Sequence, residues 1–499
     1  MSDLAQLLAA LGDAFTFVNL AFVIGGVVLG QFVGALPGVG PVMAIAIAIP
    51  FTIAVDPLPA IAFLVGVMKG GLVGGAIPAV MFNTPGTPDA AATALDGYPL
   101  AQQGKPLKAT KMALYSSITG DTFSDIVLIT VSAPLASVAL LMGPVEILAL
   151  MIFSFAVISG LMADSLAKGI VAVGLGFLCA TVGLDPEHGT PRLLFGHFEF
   201  YDGLPLASVA IGVLVLSEIF RRLSEAGRDV KPAVVTRVSS NPADSRVSFL
   251  EYWSCRFTIL RGMLIGTALG ALPGIGSTAA AFMSYASARQ ASKDPSSFGK
   301  GNIHGIAAAE SANSAVAGAN LIPLLTLGIP GSVDAALIIS AFMIHGVQPG
   351  PLMFEQQGRL IYGLFGAMIL ANACNLGIGL LGLRMWSFVV RAPEPVIFSS
   401  AILLCIVGVA LTSGGLFGVV VMLIFAVVGY LMRVFHYPVI VFIIAFFLGP
   451  RFETSLAQSL VVLKGDPWNL LHYPIAIALL MLSVVTVWWL NRQPLPKDE

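Results

Sequence analysis

Residues 77–91 read I-P-A-V-M-F-N-T-P-G-T-P-D-A-A, and residues 322–336 read I-P-L-L-T-L-G-I-P-G-S-V-D-A-A. Pro78, Pro85, Gly86 and Asp89 of the first stretch match Pro323, Pro330, Gly331 and Asp334 of the second at a constant offset of 245. Upstream of each, G-A-L-P-G-V-G at 34–40 returns as G-A-L-P-G-I-G at 270–276. Helix breakers at corresponding places in two halves of an apolar chain are the sequence pattern of a site built from interrupted membrane helices.

Composition sets the solvent. Hydrophobic residues make up 57% of the 499 and charged residues 10%, against roughly 25% charged in a soluble domain. Apolar runs in that proportion cannot all turn inward in water, so the lipid bilayer is the expected surroundings. A net charge of −2 argues against nucleic acid as a partner, because its binders carry a basic face. Cys179, Cys255, Cys374 and Cys405 are widely spaced and read as buried thiols outside any disulfide framework. No basic residue precedes the apolar stretch at 14–33, so the first segment reads as retained and not as a signal peptide.

Basic residues collect in cytoplasmic loops. The strongest such marker is 221–261, followed by Arg289, Lys293 and Lys300, by Lys105, Lys108 and Lys111, by Arg384 with Arg391, and by Arg433. The loop matching 289–300 is 51–59, and the loop matching 105–111 is 350–356; neither has a Lys or Arg. With Pro144 set against Pro393 and Gly169 against Gly418, the uncharged Met142–Val145 turn faces the Arg384/Arg391 loop, and Lys168 faces the uncharged Ser413–Gly415 turn. Each pair carries basic charge on one side only, so the halves read as inverted-topology repeats with residue 1 outside. Arg192 is the exception within an outer loop at 185–204.

The expected fold is an all-α polytopic membrane protein of two inverted repeats with discontinuous or re-entrant helices and about 11–13 membrane segments. The first transmembrane repeat covers 1–221, a cytoplasmic linker 222–256, the second repeat 257–465, and an additional helix and tail 466–499. Broken elements are expected at 14–54 and 58–101, then helices near 112–141, 145–162, 167–184 and 205–221. The second half gives 257–288, 303–346, 360–383, 394–412, 416–432 and 438–462, with a last helix near 470–490. The arms of 257–288 are too short for two full crossings, which favours a re-entrant hairpin there.

Proline removes a backbone donor and glycine permits angles a helix cannot hold. In a membrane such breaks persist where they are buried in protein or line a watery cavity. Half-helix N-termini then suit a carboxylate, and unwound carbonyls suit Na⁺. The candidate substrate and ion site comprises Gly38, Gly40, Asn83, Thr84, Pro85, Gly86, Thr87 and Asp89 in the first half. Gly274, Gly276, Ser277, Thr326, Gly328, Pro330, Gly331, Ser332 and Asp334 belong to the second. Asp89 and Asp334 are placed for a cation or a proton; capping the next helix is their plainer role.

Lys69 and Glu310 also fall within apolar spans, where ionisable groups mark a pathway or a pair. Lys69 suits substrate contact; the bland alternatives are a Lys69–Glu310 pair or a snorkelling lysine. Glu310 opens a small-residue segment with Ser311, Asn313 and Ser314 that suits a wall of the site. Alone, such a segment would read as helix packing. His188, His197, His304, His345 and His436 lack metal-ligand spacing, so no resident metal is expected, only transient Na⁺ at the same site. No Walker A sequence occurs, so the expected energy source is an ion gradient or a partner, with no cofactor. An enzyme would need a nucleophile–base pair or metal cluster at depth, and the sequence offers neither.

With these residues in view, the chain closely resembles the large membrane subunit of the tripartite tricarboxylate transporters, the TctA-type family. The resemblance is carried by G-A-L-P-G-V-G-P at 34–41, N-T-P-G-T-P with A-L-D-G-Y-P-L at 94–100, A-E-S-A-N-S-A-V-A-G at 309–318, L-T-L-G-I-P-G-S at 325–332 and L-G-P-R-F-E at 448–453. It implies a multi-pass protein of the bacterial inner membrane, N-terminus periplasmic and C-terminus cytoplasmic on the loop reading above. It also implies work with a small four-helix membrane subunit and a periplasmic solute-binding protein, in carboxylate uptake driven by Na⁺ or H⁺. Asn313-Ser314 stands where the family usually has Asn-Asn, and Met68-Lys69 where it often has an aromatic pair. An added cation favours a different anion, so the carboxylate class carries over and a particular acid does not. The competing class is a scaffold or channel-like subunit with no substrate site of its own.

Overall fold

A computed structural model of the chain describes residue 9 and residues 12–36, 40–162, 165–225, 242–272, 276–389 and 394–492. Gly38 and Gly274, the middle glycines of the two Pro-Gly turns, lie outside the described residues, as do Arg391, Pro393 and residues 226–241 of the linker.

The helices follow the apolar pattern. The first hairpin has arms α1 (Phe17–Gly34) and α2 (Gly40–Thr52). Then come α3 (Pro57–Phe82), α4 (Ala90–Gln102), α5 (Pro106–Ala139), α6 (Pro144–Met162) and α7 (Leu166–Ala180). A two-stranded ribbon pairs Gly183 with Arg192 and Leu184 with Pro191. After it, α8 (Leu206–Ala210) runs through a π-helical turn at Ile211–Leu216 into α9 (Ser217–Glu225). A short α10 (Phe249–Ser254) precedes the second hairpin, α11 (Arg256–Gly270) and α12 (Gly276–Gln290), whose arms are 15 residues each. The second broken element is α13 (Ile303–Ala319), α14 (Leu321–Leu327) and α15 (Val333–Ile344). A turn of helix, α16 (Met353–Gln356), leads to α17 (Gly358–Val389), α18 (Glu394–Thr412), α19 (Leu416–Val434), α20 (Val439–Val462) and α21 (Pro474–Arg492). Among the described residues six helices are long and apolar enough to cross a membrane, with shorter apolar helices beside them. The protein is an all-α, multi-pass membrane protein.

Two compact units share the chain. One takes Met1–Pro134 and Gly227–Ala401, the other Leu135–Ala226 and Ile402–Glu499. Each unit therefore draws on both halves of the sequence, and both hairpins and both breaks lie in the first.

Small residues let the helices of the first unit touch backbone to backbone. A Cβ on Gly30 would come within 2.3 Å of the Val67 carbonyl oxygen, and one on Gly34 within 2.3 Å of that of Gly71. The second half repeats the arrangement, a Cβ on Gly266 falling 2.2 Å from the Ala312 carbonyl. In a bilayer no hydrophobic force draws helices together, so such close van der Waals packing takes its place. The i, i+4 stripes Gly26-Gly30-Gly34 and Gly262-Gly266-Gly270 signal this packing in sequence, although the reading above overlooked them.

The basic stretches assigned to one side do meet within this unit. Lys105 pairs with Asp244 at 3.2 Å, Lys108 with Glu251, and Lys111 Nζ donates to the Ser245 carbonyl at 2.9 Å. Gln103 Nε2 donates to the Lys300 carbonyl at 2.8 Å. The end of α15 meets the 51–59 loop, His345 Nε2 lying 3.1 Å from the Thr52 carbonyl oxygen.

In the second unit α20 packs on α7 and α6, and α21 on α6. Phe177 stacks on Phe452 with ring centroids 4.6 Å apart, and Phe155 meets both edge-on. Arg192 is accommodated by Glu453, a fork-to-fork ion pair at 2.5 and 3.0 Å. Arg433 pairs with Glu218 at 3.2 Å. The cysteine expectation needs correction: Cys255 and Cys405 are buried, whereas Cys179 and Cys374 are only half-buried.

Candidate functional site

In both broken elements the helix that runs into the break ends in a left-handed residue. Asn83 (φ 53°) closes α3 and Gly328 (φ 69°) closes α14. The chain then runs unwound to α4 and α15, because Pro85 and Pro330 offer no N–H with which to continue a helix. Each break leans on the helix before it through matching glycines. Gly86 N donates to the Gly75 carbonyl at 3.3 Å, and a Cβ on Gly331 would lie 2.9 Å from the carbonyl oxygen of Asn320, the residue corresponding to Gly75. The hairpin turns match too: Gly40 (φ 65°) and Gly276 (φ 71°) open α2 and α12 in the left-handed region, which glycine enters without strain.

Side chains at the breaks divide into inward and outward sets. Thr87 and Asp89 are buried, and Thr87 Oγ1 donates to Asp89 Oδ2 at 3.1 Å. Asn83 and Thr84 are exposed; Asn83 and Pro85 line an outer cleft of ≈ 310 Å³ with Tyr98 and Pro99. In the second break the Thr326 hydroxyl donates to the Ile322 carbonyl at 2.7 Å, which ties it to its own helix. Ser332 caps α15, accepting from Ala335 N at 3.2 Å and from Asn320 Nδ2 at 2.7 Å. With the cap supplied by Ser332, the Asp334 atom Oδ1 is buried with no partner.

These groups converge on α13. Asn313 and Ser277 face the Asp89 carboxylate, and Asp334 and Glu310 lie within its electrostatic reach. Glu310 accepts from Thr93 Oγ1 at 2.5 Å and from Ser117 Oγ at 2.6 Å. The Asn313 amide donor has the Asp89 carboxylate before it, whereas Asn313 Oδ1 and Ser314 Oγ are buried without a hydrogen-bond partner. Buried polar atoms are nearly always bonded, so this concentration of open donors and acceptors, flanked by three carboxylates, is what a polar ligand or ion would satisfy.

Lys69 is elsewhere. It neither pairs with Glu310 nor snorkels to a surface: it is 1% exposed, with Nζ 2.6 Å from Asp121 Oδ1, 2.7 Å from Asp125 Oδ2 and 3.0 Å from Asn372 Oδ1. Sequence reasoning missed Asp121, Asp125 and Asn372 here, and Thr93 and Ser117 around Glu310. Asp121 and Asp125 were findable, since two acidic residues at i, i+4 share one face of a helix that must cross lipid. Asp96 was missed as well. Its Oδ1 accepts from the backbone of Gly299, Gly301 and Asn302 at 2.8–2.9 Å, and its Oδ2 from Tyr285 at 2.9 Å, which fastens the loop ahead of α13.

Comparison with known proteins gives the following. A family model described as "Tripartite tricarboxylate transporter TctA family" matches residues 20–444. The uncharacterized 52.8 kDa protein in the TAR-I ttuC' 3' region of Agrobacterium vitis is 33% identical over 490 residues, covering 98% of this chain and 96% of that one. A protein in the TAR-II ttuC' 3' region of the same organism is 35% identical over 223 residues, 44% of this chain and 92% of its own. No solved structure matches.

Proposed function

Because the chain belongs to the tripartite tricarboxylate transporter TctA family, as a membrane subunit of such a transporter, we propose that it carries the substrate site and takes up organic carboxylates by cation symport. The observation that carries this reading is the set of buried polar atoms without a hydrogen-bond partner where the two breaks meet α13: Asn313 Oδ1, Ser314 Oγ and Asp334 Oδ1. A scaffold would have no use for open donors and acceptors at that depth, each of which costs about 1–3 kcal/mol when left unmet.

In this reading the N-terminal ends of α4 and α15 receive the substrate carboxylates, their free N–H groups and positive dipole ends favouring an anion. Asp89 and Asp334 hold the coupling cation close by, so that substrate and cation neutralise each other and bind together. Uptake without the cation would place an anion against three carboxylates. A periplasmic solute-binding protein delivers substrate, a small four-helix subunit completes the membrane assembly, and the complex resides in the bacterial inner membrane. The halves have inverted topology, the N-terminus is periplasmic, and the site opens to each side in turn as the part of each half that holds the breaks moves.

Reconstitution of the three subunits in vesicles tests the proposal, with labelled citrate, succinate, malate and tartrate as probes, each with and without a cation gradient. Uptake of an acid that needs both binding protein and gradient is expected. No uptake of any acid by an assembled complex would overturn it. For topology, single cysteines near residues 106 and 354 are expected to label from opposite faces; labelling from the same face would end the inverted arrangement.

A further inference from the structure

The Lys69 cluster holds more negative than positive charge. One ammonium faces two carboxylates, with side chains 0%, 3% and 0% exposed. All three ammonium hydrogens have acceptors, in Asp121, Asp125 and Asn372. Asn372 Nδ2 also donates to Asp125 Oδ2 at 2.8 Å and to Thr122 Oγ1 at 3.2 Å. Every surrounding element adds only neutral groups. From α17 comes Asn375, whose Nδ2 donates to the Lys69 carbonyl at 3.1 Å, and from α1 comes Gln31, which donates to Asn375. On α13 the neighbour is Gly318, where a Cβ would lie 2.6 Å from Asp125 Oδ1. Among the described residues no other charged group acts on the three. Asp125 Oδ1 is buried with no hydrogen-bond partner.

An uncompensated charge at this depth is costly, and one proton removes it. We infer that Asp121 and Asp125 form a proton-binding site, separate from the cation site at the breaks, with Lys69 as its fixed countercharge, and that H⁺ bound there is carried with the substrate in addition to the cation held by Asp89 and Asp334. The inference rests on the reading of the chain as a secondary transporter. Uptake of the proton forms one O–H bond on a carboxylate oxygen and leaves an ammonium, a carboxylate and a carboxylic acid, a neutral set. Release to the opposite side breaks that bond and restores the excess charge. A proton fits better than Na⁺ because the ammonium already occupies the centre of the oxygen set that a metal ion would need. Asp125 Oδ1 also abuts Gly318, one turn beyond Ser314 on the helix that walls the substrate site, so the charge state of the cluster bears directly on α13.

The test combines two measurements on the complete three-subunit complex. In vesicles containing a pH-sensitive dye, wild-type uptake of the accepted probe acid is expected to bring protons in with it and to be accelerated by an inward pH gradient. Asp125→Asn and Asp121→Asn are each expected to lower the accompanying proton influx at least tenfold. Infrared difference spectroscopy of the purified complex is expected to show a carboxylic-acid C=O band that titrates, and that is lost in either variant. Uptake driven by Na⁺ alone with no proton influx would overturn the inference and leave the transporter reading standing. A wild-type spectrum without a titrating carboxylic acid would overturn it too, whether or not the variants fold. No uptake of any probe would defeat the transporter reading, and this inference with it.

Discussion

The two breaks share a sequence pattern and use it differently. In the first, Asp89 holds the position before α4 but makes no capping bond, because its carboxylate is engaged by Thr87. In the second, Ser332 caps α15 and is held by Asn320, while Asp334 keeps a buried oxygen open. The helix before the first break is continuous over 26 residues, whereas its counterpart is interrupted at Asn320. Matched residues of the two breaks thus cap their helices unequally, and only the second leaves a carboxylate oxygen open. Equivalent substitutions should therefore have unequal effects.

The largest contrast is expected from valine at the matched glycines. A Cβ on Gly86 meets the Gly34 carbonyl oxygen at 2.4 Å and has no flexible neighbour to displace. Gly86→Val should prevent accumulation of folded protein in the membrane. Gly331→Val meets Asn320 at 2.9–3.0 Å and should leave protein in the membrane that transports nothing; overpacking of this kind typically costs about 1–3 kcal/mol. Membrane yield measured beside uptake decides the matter, and normal uptake by Gly331→Val would remove the second break from the site.

Next come the carboxylates. Asp89→Asn and Asp334→Asn should each weaken the dependence of uptake on the coupling cation, more than they weaken docking of the binding protein. The effect should be larger for Asp89, on the order of tenfold, equivalent to about 1.4 kcal/mol, since Asp89 lies in reach of both other carboxylates. Unchanged cation and pH profiles in both variants would exclude these residues from coupling. A smaller contrast separates Ser332→Ala, which loses a helix cap worth about 1 kcal/mol, from Thr87→Ala, which loses none. Thermal unfolding of the two purified variants would expose the difference.

The smallest effect is expected away from both breaks. Asp13 pairs with Arg359 at 2.6 Å, and the guanidinium hydrogen bond holds the Asp13 carboxyl below its ordinary range. A lowered folded-state value means the pair contributes above the usual carboxylate range and fades as pH falls through the lowered value. Asp13→Asn should flatten that acid-side slope of the unfolding midpoint and change little at neutral pH, because the pair is largely exposed.

Much of this was legible in the sequence because breakers and apolar runs act locally. The left-handed Gly328, the unwound Pro85 and Pro330, and the ends of most spans follow from residues a few positions apart. What the sequence concealed depends on distant partners. Lys69 was open to reading as a substrate ligand, a partner of Glu310 or a snorkelling lysine because its counterions lie on another helix, α5, 52 and 56 positions along the chain. Glu310 read as a wall of the site with no sign that Thr93 and Ser117 would hold its carboxylate. The asymmetry of capping was hidden for a related reason, since Thr87 and Ser332 are chemically alike and only Asn320, with no polar counterpart at Gly75, tips Ser332 into the cap.

The Lys69 cluster also bears on how the protein is made. Lysine at the centre of a membrane helix disfavours insertion by roughly 2.5–3.5 kcal/mol on translocon scales. Asp121 is synthesised 52 residues later, and Asn372 follows Lys69 by 303. Until those helices emerge, α3 carries an unmatched cation into the membrane, and its glycines provide little hydrophobic anchorage of their own. The order of synthesis therefore leaves α3 without the partners that neutralise its lysine until α5 and α17 have been made.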